Sequence, residues 1–179
     1  MDPRQILDFW FDPKHKELWF VKNADFDEKI RKQFENAYNQ ATINALDHWQ
    51  DTPEGALSLV VVLDQFPRNL YRNSMKAFQT DTRALAIAQK ALENQFDQQL
   101  SPEQRHFLYM PFMHSEDIAL QEKSVQLFEA TGEANAYHYA ILHRDIIARF
   151  GRFPHRNKIL RRTSTPEELE FLKQPNSSF

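Results

Sequence analysis

Glycine is unusually scarce in this chain, with three residues in 179, at Gly55, Gly132 and Gly151. An all-β fold needs many more glycines for its tight turns, and a loop that cradles a phosphate needs several of them close together. The chain has neither of these devices. Its hydrophobic residues recur instead at the three-to-four spacing that is typical of amphipathic α-helices.

Helix-start signals recur along the whole sequence. Polar N-cap residues, several of them followed by proline or by Glu or Gln three positions on, stand at Asp2, Asp25, Thr52, Asp81, Ser101, Ser115 and Thr165. Gly132 and Gly151 stand where glycine closes a helix, and we expect Pro67 and Pro111 to end two others. The helix that Asp25 opens is expected to reach Trp49. These signals predict an all-α fold of about eight helices in antiparallel pairs.

The length of the chain suits one domain, and we expect a single all-helical domain over residues 1–179 with a frayed tail at about 174–179. The absence of cysteine excludes disulfides, thiolate nucleophiles and zinc sites built on sulfur, and it fits a reducing cytoplasm. The N-terminus lacks the pattern of a signal peptide, and the longest apolar run, Ala56–Leu63, is too short to cross a bilayer. The sequence therefore predicts a cytoplasmic protein without a membrane segment.

The charge of the chain, −3 overall, is unevenly distributed. Residues 133–179 carry eight Lys or Arg against five Asp or Glu, whereas residues 1–132 carry fourteen against twenty. The segment 149–162 interleaves five arginines with aromatic residues, a pattern found in proteins that bind single-stranded nucleic acid. A general nucleic-acid binder is strongly basic as a domain, so the acidic balance of this chain argues against that class of partner.

Three helix ends have a proline beside a phenylalanine, and we call them the Pro-Phe corners. The first, Gln65–Arg72, and the third, Arg152–Arg161, also share an Arg-Asn pair after the proline and a further arginine. The second, Tyr109–Asp117, carries acids where the others carry arginines. Turn chemistry alone can explain this likeness, because proline stops a helix and asparagine accepts unusual dihedral angles. A site shared by corners that meet on one rim of the fold is the other explanation.

A resemblance over nearly the whole chain is carried by the stretches LDQFPRNLYR, FLYMPFMHSED and HRDIIARFGRFPHRN, with ILDFWF at the start and STPEELEFL near the end. In this order, they resemble a bacterial family catalogued as domain of unknown function 924. The resemblance implies an all-helical fold similar to an array of tetratricopeptide repeats. No activity comes with it, so a functional site has to be argued from the residues.

The corners and the helix before the third corner contain the residues best suited to a ligand site. We expect an arginine-rich pocket for a small anion, lined by Asp64, Gln65, Arg68, Asn69, Arg72, His114, Asp117, Arg144, Arg152, His155, Arg156 and Asn157. Arginine suits this role because its planar guanidinium binds carboxylates and phosphates through two parallel hydrogen bonds. His143 and Glu116 are the candidates for acid–base catalysis, since His143 lies on an apolar helix face with acids in the neighbouring motifs. Whether the protein is an enzyme stays open at this point.

The alternative is that these arginines are structural and that the chain is a helical scaffold for a protein or peptide partner. The arginines would then pair with carboxylates such as Asp64, Glu116 and Asp117 and tie helices together. A metal site could be assembled from His114, Glu116, Asp117, Glu122 and His143. These residues lack the helical spacing of a recognised ligand set, so neither a metal nor another cofactor is predicted.

Overall fold

The computed structural model describes the whole chain, residues 1–179, as helices joined by turns, without a β-strand, and the all-α prediction is confirmed. The eight helices are α1 (Pro3–Trp10), α2 (Ala24–Thr42), α3 (Pro53–Val60, Val61–Gln65 and Phe66–Leu70 in succession), α4 (Asp81–Glu93), α5 (Pro102–Met113), α6 (Ile118–Thr131), α7 (Ala134–Phe150) and α8 (Pro166–Phe171). Short 3₁₀ turns lie at Lys16–Leu18, Asp47–Asp51, Met75–Phe78, Phe96–Gln99 and Pro154–Arg156. The chain divides into two compact units, unit 1 (Met1–Pro111) and unit 2 (Phe112–Phe179).

Unit 1 is built around α3, against which α1, α2 and α4 all pack. Leu57, Leu59 and Leu63 of α3 are fully buried, because neighbouring helices cover the apolar run on every side. The ring of Phe66 meets the ring of Trp10 edge-on at 5.7 Å between centroids, which joins α3 to α1. No helix of the chain combines the length and the apolarity needed to cross a membrane.

The prediction that Pro67 ends a helix is wrong, because α3 continues past it through a π-helical turn. Proline has no N–H, and its ring crowds the carbonyl four residues earlier, which is that of Leu63. The wider π turn accommodates the ring, and the Thr80 hydroxyl donates to the Leu63 carbonyl oxygen at 2.5 Å. The Arg68 guanidinium donates to the carbonyl oxygen of Asp64, also at 2.5 Å. Side chains therefore satisfy the backbone carbonyls around this turn.

Several predicted helix ends are confirmed by their hydrogen bonds. Asp2 and Thr165 each form a complete capping box, and the Thr52 hydroxyl accepts from the N–H of Gly55. Gly132 and Gly151 close α6 and α7 in the left-handed conformation, with φ of 72° and 67°. Glycine suits these positions because it has no Cβ to clash there.

Other boundaries differ from the predictions, in two cases because a nearby residue makes the cap. Asn23 rather than Asp25 caps α2, which ends at Thr42 rather than at Trp49. Asp117 rather than Ser115 caps α6, since its carboxylate accepts from two backbone N–H groups of the first turn. Likewise, Thr80 is the residue before α4, and Asp81 is its first residue. The helix expected to stop at Pro111 runs on to Met113.

Unit 2 contains the hairpin of α6 and α7, which turns at Gly132 and packs along its length. Ile146, Ile147 and Phe153 form a buried cluster against which Phe150 and Phe171 pack. The short turn Pro154–Arg156 follows, and α8 comes after it.

Ser177 and Phe179, in the stretch 174–179 that we expected to fray, contact the rest of unit 2, and every residue of the stretch except Ser177 is exposed. Ser177 is buried, and its hydroxyl donates to the carbonyl oxygen of Leu172 at 3.2 Å. Asn176 takes a positive φ of 58°, which reverses the chain. Phe179 then lies on the ring of His143 in α7.

Candidate functional site

The first Pro-Phe corner lies in unit 1, where its arginines are bound to carboxylates. Arg68 donates two parallel hydrogen bonds to Asp81, at 2.9 and 3.0 Å, and lies 3.3 Å from the carboxylate of Asp64. Asp64 is fully buried and accepts a short hydrogen bond from the Gln65 amide. The corner is thus held together by partly buried charge pairs, and the two parallel hydrogen bonds of Arg68 are a strong geometry for arginine.

The other polar residues of the first corner converge on one carboxylate. Arg72 binds Asp27 of α2 through two hydrogen bonds, at 2.5 and 2.8 Å. The Asn69 amide donates to the same carboxylate at 2.8 Å. Asp27 therefore ties the end of α3 to α2.

The third corner is anchored by Glu168 of α8. Arg152 binds its carboxylate at 2.6 and 2.8 Å, Asn157 donates to it at 3.2 Å, and the backbone N–H of Thr165 donates at 2.7 Å. The hydrogen bonds from Arg152, helped by those from Thr165 and Asn157, lower the pKa of Glu168 to about 2. The carboxylate is therefore ionised at neutral pH and holds Arg152 and Asn157 in place.

Glu116 of the second corner binds the third corner. Its carboxylate accepts two hydrogen bonds from Arg162, at 2.6 and 2.9 Å, and one from the backbone N–H of Phe153 at 2.8 Å. Burial raises the pKa of Glu116, but these hydrogen bonds outweigh burial and bring the pKa below its ordinary value. An ionised and fully bonded carboxylate is poorly suited to donate a proton, so the geometry supports a structural part for Glu116.

Arg144 and Asp117, two further predicted ligand residues, are engaged locally. Arg144 binds its neighbour Asp145 at 2.7 Å, and the carboxylate of Asp117 caps α6. Neither contact points to a ligand.

Three histidines and an arginine of unit 2 form what we call the histidine cluster: His114, His143, His155 and Arg156. Phe153 lies at its centre, with the rings of His143 and His155 each 5.6 Å from the Phe153 ring. The Arg156 guanidinium lies over the same ring at 4.5 Å and donates to the carbonyl oxygen of His114 at 3.0 Å. The second and third corners therefore meet in one place, as a shared site requires.

The tautomer of His143 follows from its hydrogen bond. Nδ1 lies 2.8 Å from the carbonyl oxygen of Tyr139, which can only accept, so Nδ1 carries the hydrogen. The pKa of His143 is lowered to about 3: burial is the main cause, the hydrogen bond to Tyr139 opposes it, and the nearby His114, Arg156 and His155 add to the lowering. The imidazole is therefore neutral at pH 7, with a lone pair on Nε2.

His155 is also neutral, because burial and then the charge of Arg156 lower its pKa to about 4. Its Nδ1 is buried and has no hydrogen-bond partner within the protein. Buried polar atoms are bonded in the great majority of cases, so an open position on an imidazole indicates a polar binding place.

Two more open polar atoms belong to α6. Gln121 Oε1 and Ser124 Oγ are buried without a hydrogen-bond partner within the protein. The amide nitrogen of Gln121 donates to the carbonyl oxygens of Met113 and Ser115, which flank His114 in the chain. Gln121 and His143 stand equally far along the chain from Gly132, so the hairpin brings them level. The backbone on either side of His114 therefore holds Gln121, whose Oε1 keeps an open acceptor position.

The comparisons with known proteins identify the family. The family model described as "Bacterial protein of unknown function (DUF924)" matches residues 6–176, nearly the whole chain. The chain belongs to this family. It is similar to a solved protein of unknown function, ATU0120 from Agrobacterium tumefaciens, with 42% identity, a TM-score of 0.91 and 96% of each chain covered. No curated protein matches it.

Sequence reasoning on this DUF924 chain missed the residues that complete the corners. Glu168 carried a visible signal, because its place in the capping box after Thr165 marked it as a hydrogen-bonding carboxylate. Arg162 stood in the basic segment but outside the repeated motif. Asp27 and Gln121 had no local signal, because their partners lie on other elements. No group of three or more His, Cys, Asp or Glu side chains is placed to hold a metal ion.

Proposed function

We propose that this DUF924 protein binds a small organic anion, a carboxylate in the simplest case, at the histidine cluster of unit 2. The observation that carries the proposal is the state of His143: a buried imidazole, 5% exposed, whose Nδ1–H is committed to Tyr139 and whose Nε2 has to accept. The open Nδ1 of His155, whose ring also contacts Phe153, supports the same proposal.

The chemistry expected of this site is the binding of an acid together with a proton. A carboxylate beside His143 favours the imidazolium form, so binding raises the pKa of His143 from its low value in the free protein. His114, His155 and Arg156 oppose that protonation, and the negative charge of the ligand offsets their effect. The complex then holds a proton that the free protein lacks, and binding strengthens as the pH falls.

The arginines in and beside the corners have a structural role in this proposal and do not bind the ligand. Arg72, Arg152 and Arg162 are each bound by two hydrogen bonds to a carboxylate, which supports the alternative that they are structural. They hold the helices and turns around the site in place, whereas the ligand binds to the imidazoles. The same arrangement is compatible with a tetratricopeptide-like array in a cytoplasmic protein, which we retain as part of the proposal.

Titration calorimetry with acetate tests the proposal. Acetate should bind the wild type more tightly at lower pH, by up to about tenfold per pH unit, and heats measured in two buffers of different ionisation enthalpy should reveal proton uptake. His143→Gln should weaken binding and abolish the uptake, whereas His138→Gln, an exposed histidine on the same helix, should change neither. Affinity that is independent of pH, or equal in the wild type and His143→Gln, would contradict the proposal.

A further inference from the structure

The histidine cluster is already in contact with an aromatic ring, that of Phe179. The ring lies 3.9 Å from the ring of His143, centroid to centroid, with only 24° between the two planes. It also meets Tyr139 and His155 edge-on, each at 6.1 Å. Three rings of unit 2, those of His143, Tyr139 and His155, thus surround the Phe179 ring, which stacks on one face of the His143 imidazole.

Phe179 is held there by a short segment rather than by deep burial. The Ser177 hydroxyl fastens the chain to Leu172, and the positive φ of Asn176 turns the chain back towards α7. The side chain of Phe179 itself is 46% exposed, so about half of it gains nothing from burial. A ring that is tethered but half exposed can be displaced by a competing ring without unfolding the unit.

We propose that Phe179 occupies the subsite for the ring of the ligand, and that the ligand is a planar aromatic acid whose ring displaces Phe179 while its carboxylate meets the histidines. This inference rests on the proposed function and specifies the ligand class of the same site. It commits to planarity, because a planar ring can stack on the imidazole as the Phe179 ring does at 3.9 Å, whereas a puckered ring has no flat face to stack. It also makes the Phe179 ring a built-in competitor for aromatic ligands.

The competition has a predictable size. A ring on a short flexible tether acts at an effective concentration in the millimolar range, so it weakens a ligand that needs the same place and leaves a smaller ligand unaffected. Phe179→Ala should therefore tighten benzoate binding by about tenfold, because benzoate no longer has to displace a half-buried phenyl ring. Acetate has no ring, and its affinity should change by less than about twofold.

The experiment compares benzoate, cyclohexanecarboxylate and acetate on the wild type, Phe179→Ala and Phe179→Leu by titration calorimetry, with circular dichroism to establish folding. Phe20→Ala, at an exposed phenylalanine of unit 1, is the matched control and should leave all three affinities unchanged. Benzoate should gain from both substitutions at Phe179, and more than cyclohexanecarboxylate. In NMR spectra of the wild type, benzoate should shift the signals of Phe179 and Ser177 more than acetate does, because benzoate displaces the ring and acetate does not.

The outcomes separate this inference from the function on which it rests. If acetate binds in a manner that depends on His143 but Phe179→Ala leaves benzoate unchanged or weakened, the aromatic subsite is refuted and the anion site stands. Equal gains for benzoate and cyclohexanecarboxylate refute the planar ligand class. If no acid binds to any of these variants, both proposals fail.

Discussion

The substitution His143→Gln should change how the stability of the protein depends on pH. Folding lowers the pKa of His143 from 6.5 to about 3, so the unfolded chain takes up the proton more readily than the folded one. Stability is therefore present above pH 6.5 and is lost as the pH falls through the window from about 6.5 to about 3. His143→Gln removes this contribution, because glutamine does not titrate.

The size of the effect follows from the two pKa values. Each unit of pKa difference is worth about 1.4 kcal/mol, so between pH 7 and pH 5 His143 removes about 2 kcal/mol from the free energy of unfolding. His155, whose pKa is lowered to about 4, should remove a similar amount over the same interval. The double substitution His143→Gln with His155→Gln should therefore flatten the pH profile by about 4 kcal/mol.

Urea unfolding followed by circular dichroism, at constant ionic strength and at half-unit steps from pH 7 to pH 5, measures this profile. His138→Gln supplies the control for replacing a histidine on α7 and should keep the slope of the wild type. A slope that is unchanged in His143→Gln would mean that the folded protein protonates this imidazole as easily as the unfolded chain does. The low pKa of His143 in the free protein, from which the proton uptake on anion binding follows, would then be refuted.

Two further predictions concern α3 and its surroundings. Thr80→Val removes the hydroxyl that donates to the Leu63 carbonyl beside the π turn, and it should lower the free energy of unfolding in urea by about 1–3 kcal/mol. Thr80→Ser keeps a hydroxyl and should cost much less. Equal losses in the two variants would show that this hydrogen bond does not stabilise the turn. Gly55→Ala places a methyl group against the carbonyl oxygen of Trp49. The overpacking should lower the free energy of unfolding by about 1–3 kcal/mol, and the melting temperature should fall accordingly. Glu54→Ala, one residue away and exposed, is its control, and a melting temperature equal to that of the control would show that the backbone there has room.

Local rules predicted the fold where the partners are close in the chain. The capping boxes of Asp2 and Thr165 and the closing glycines were readable, because each involves residues within one turn. The continuation of the helix past Pro67 was not predicted, because Thr80, which bonds the Leu63 carbonyl there, stands 17 residues after Leu63 and outside the helix. A stop signal in the sequence is thus a local tendency, and a tertiary hydrogen bond can override it.

The candidate site was likewise predictable only where the signal is local in the chain. The apolar face of α7 pointed to His143 as an unusual histidine, and that face is a local pattern. Which histidines gather around it depends on how the second and third corners pack in unit 2, which no spacing reveals. The partners of the arginines were equally hidden: Asp27 stands 45 positions before Arg72, and Glu116 stands 46 before Arg162.

The π-helical turn in α3 also determines the angular register of everything that follows it in that helix. Each residue of an α-helix advances by about 100° around the axis, so one residue fewer in this turn would swing Arg68 and Arg72 through more than a quarter of a circle. Both guanidinium groups would then leave Asp81 on α4 and Asp27 on α2, while the apolar residues ahead of the turn kept their places. The segment is thus more sensitive to changes of length than to changes of side chain, although it carries no ligand chemistry itself.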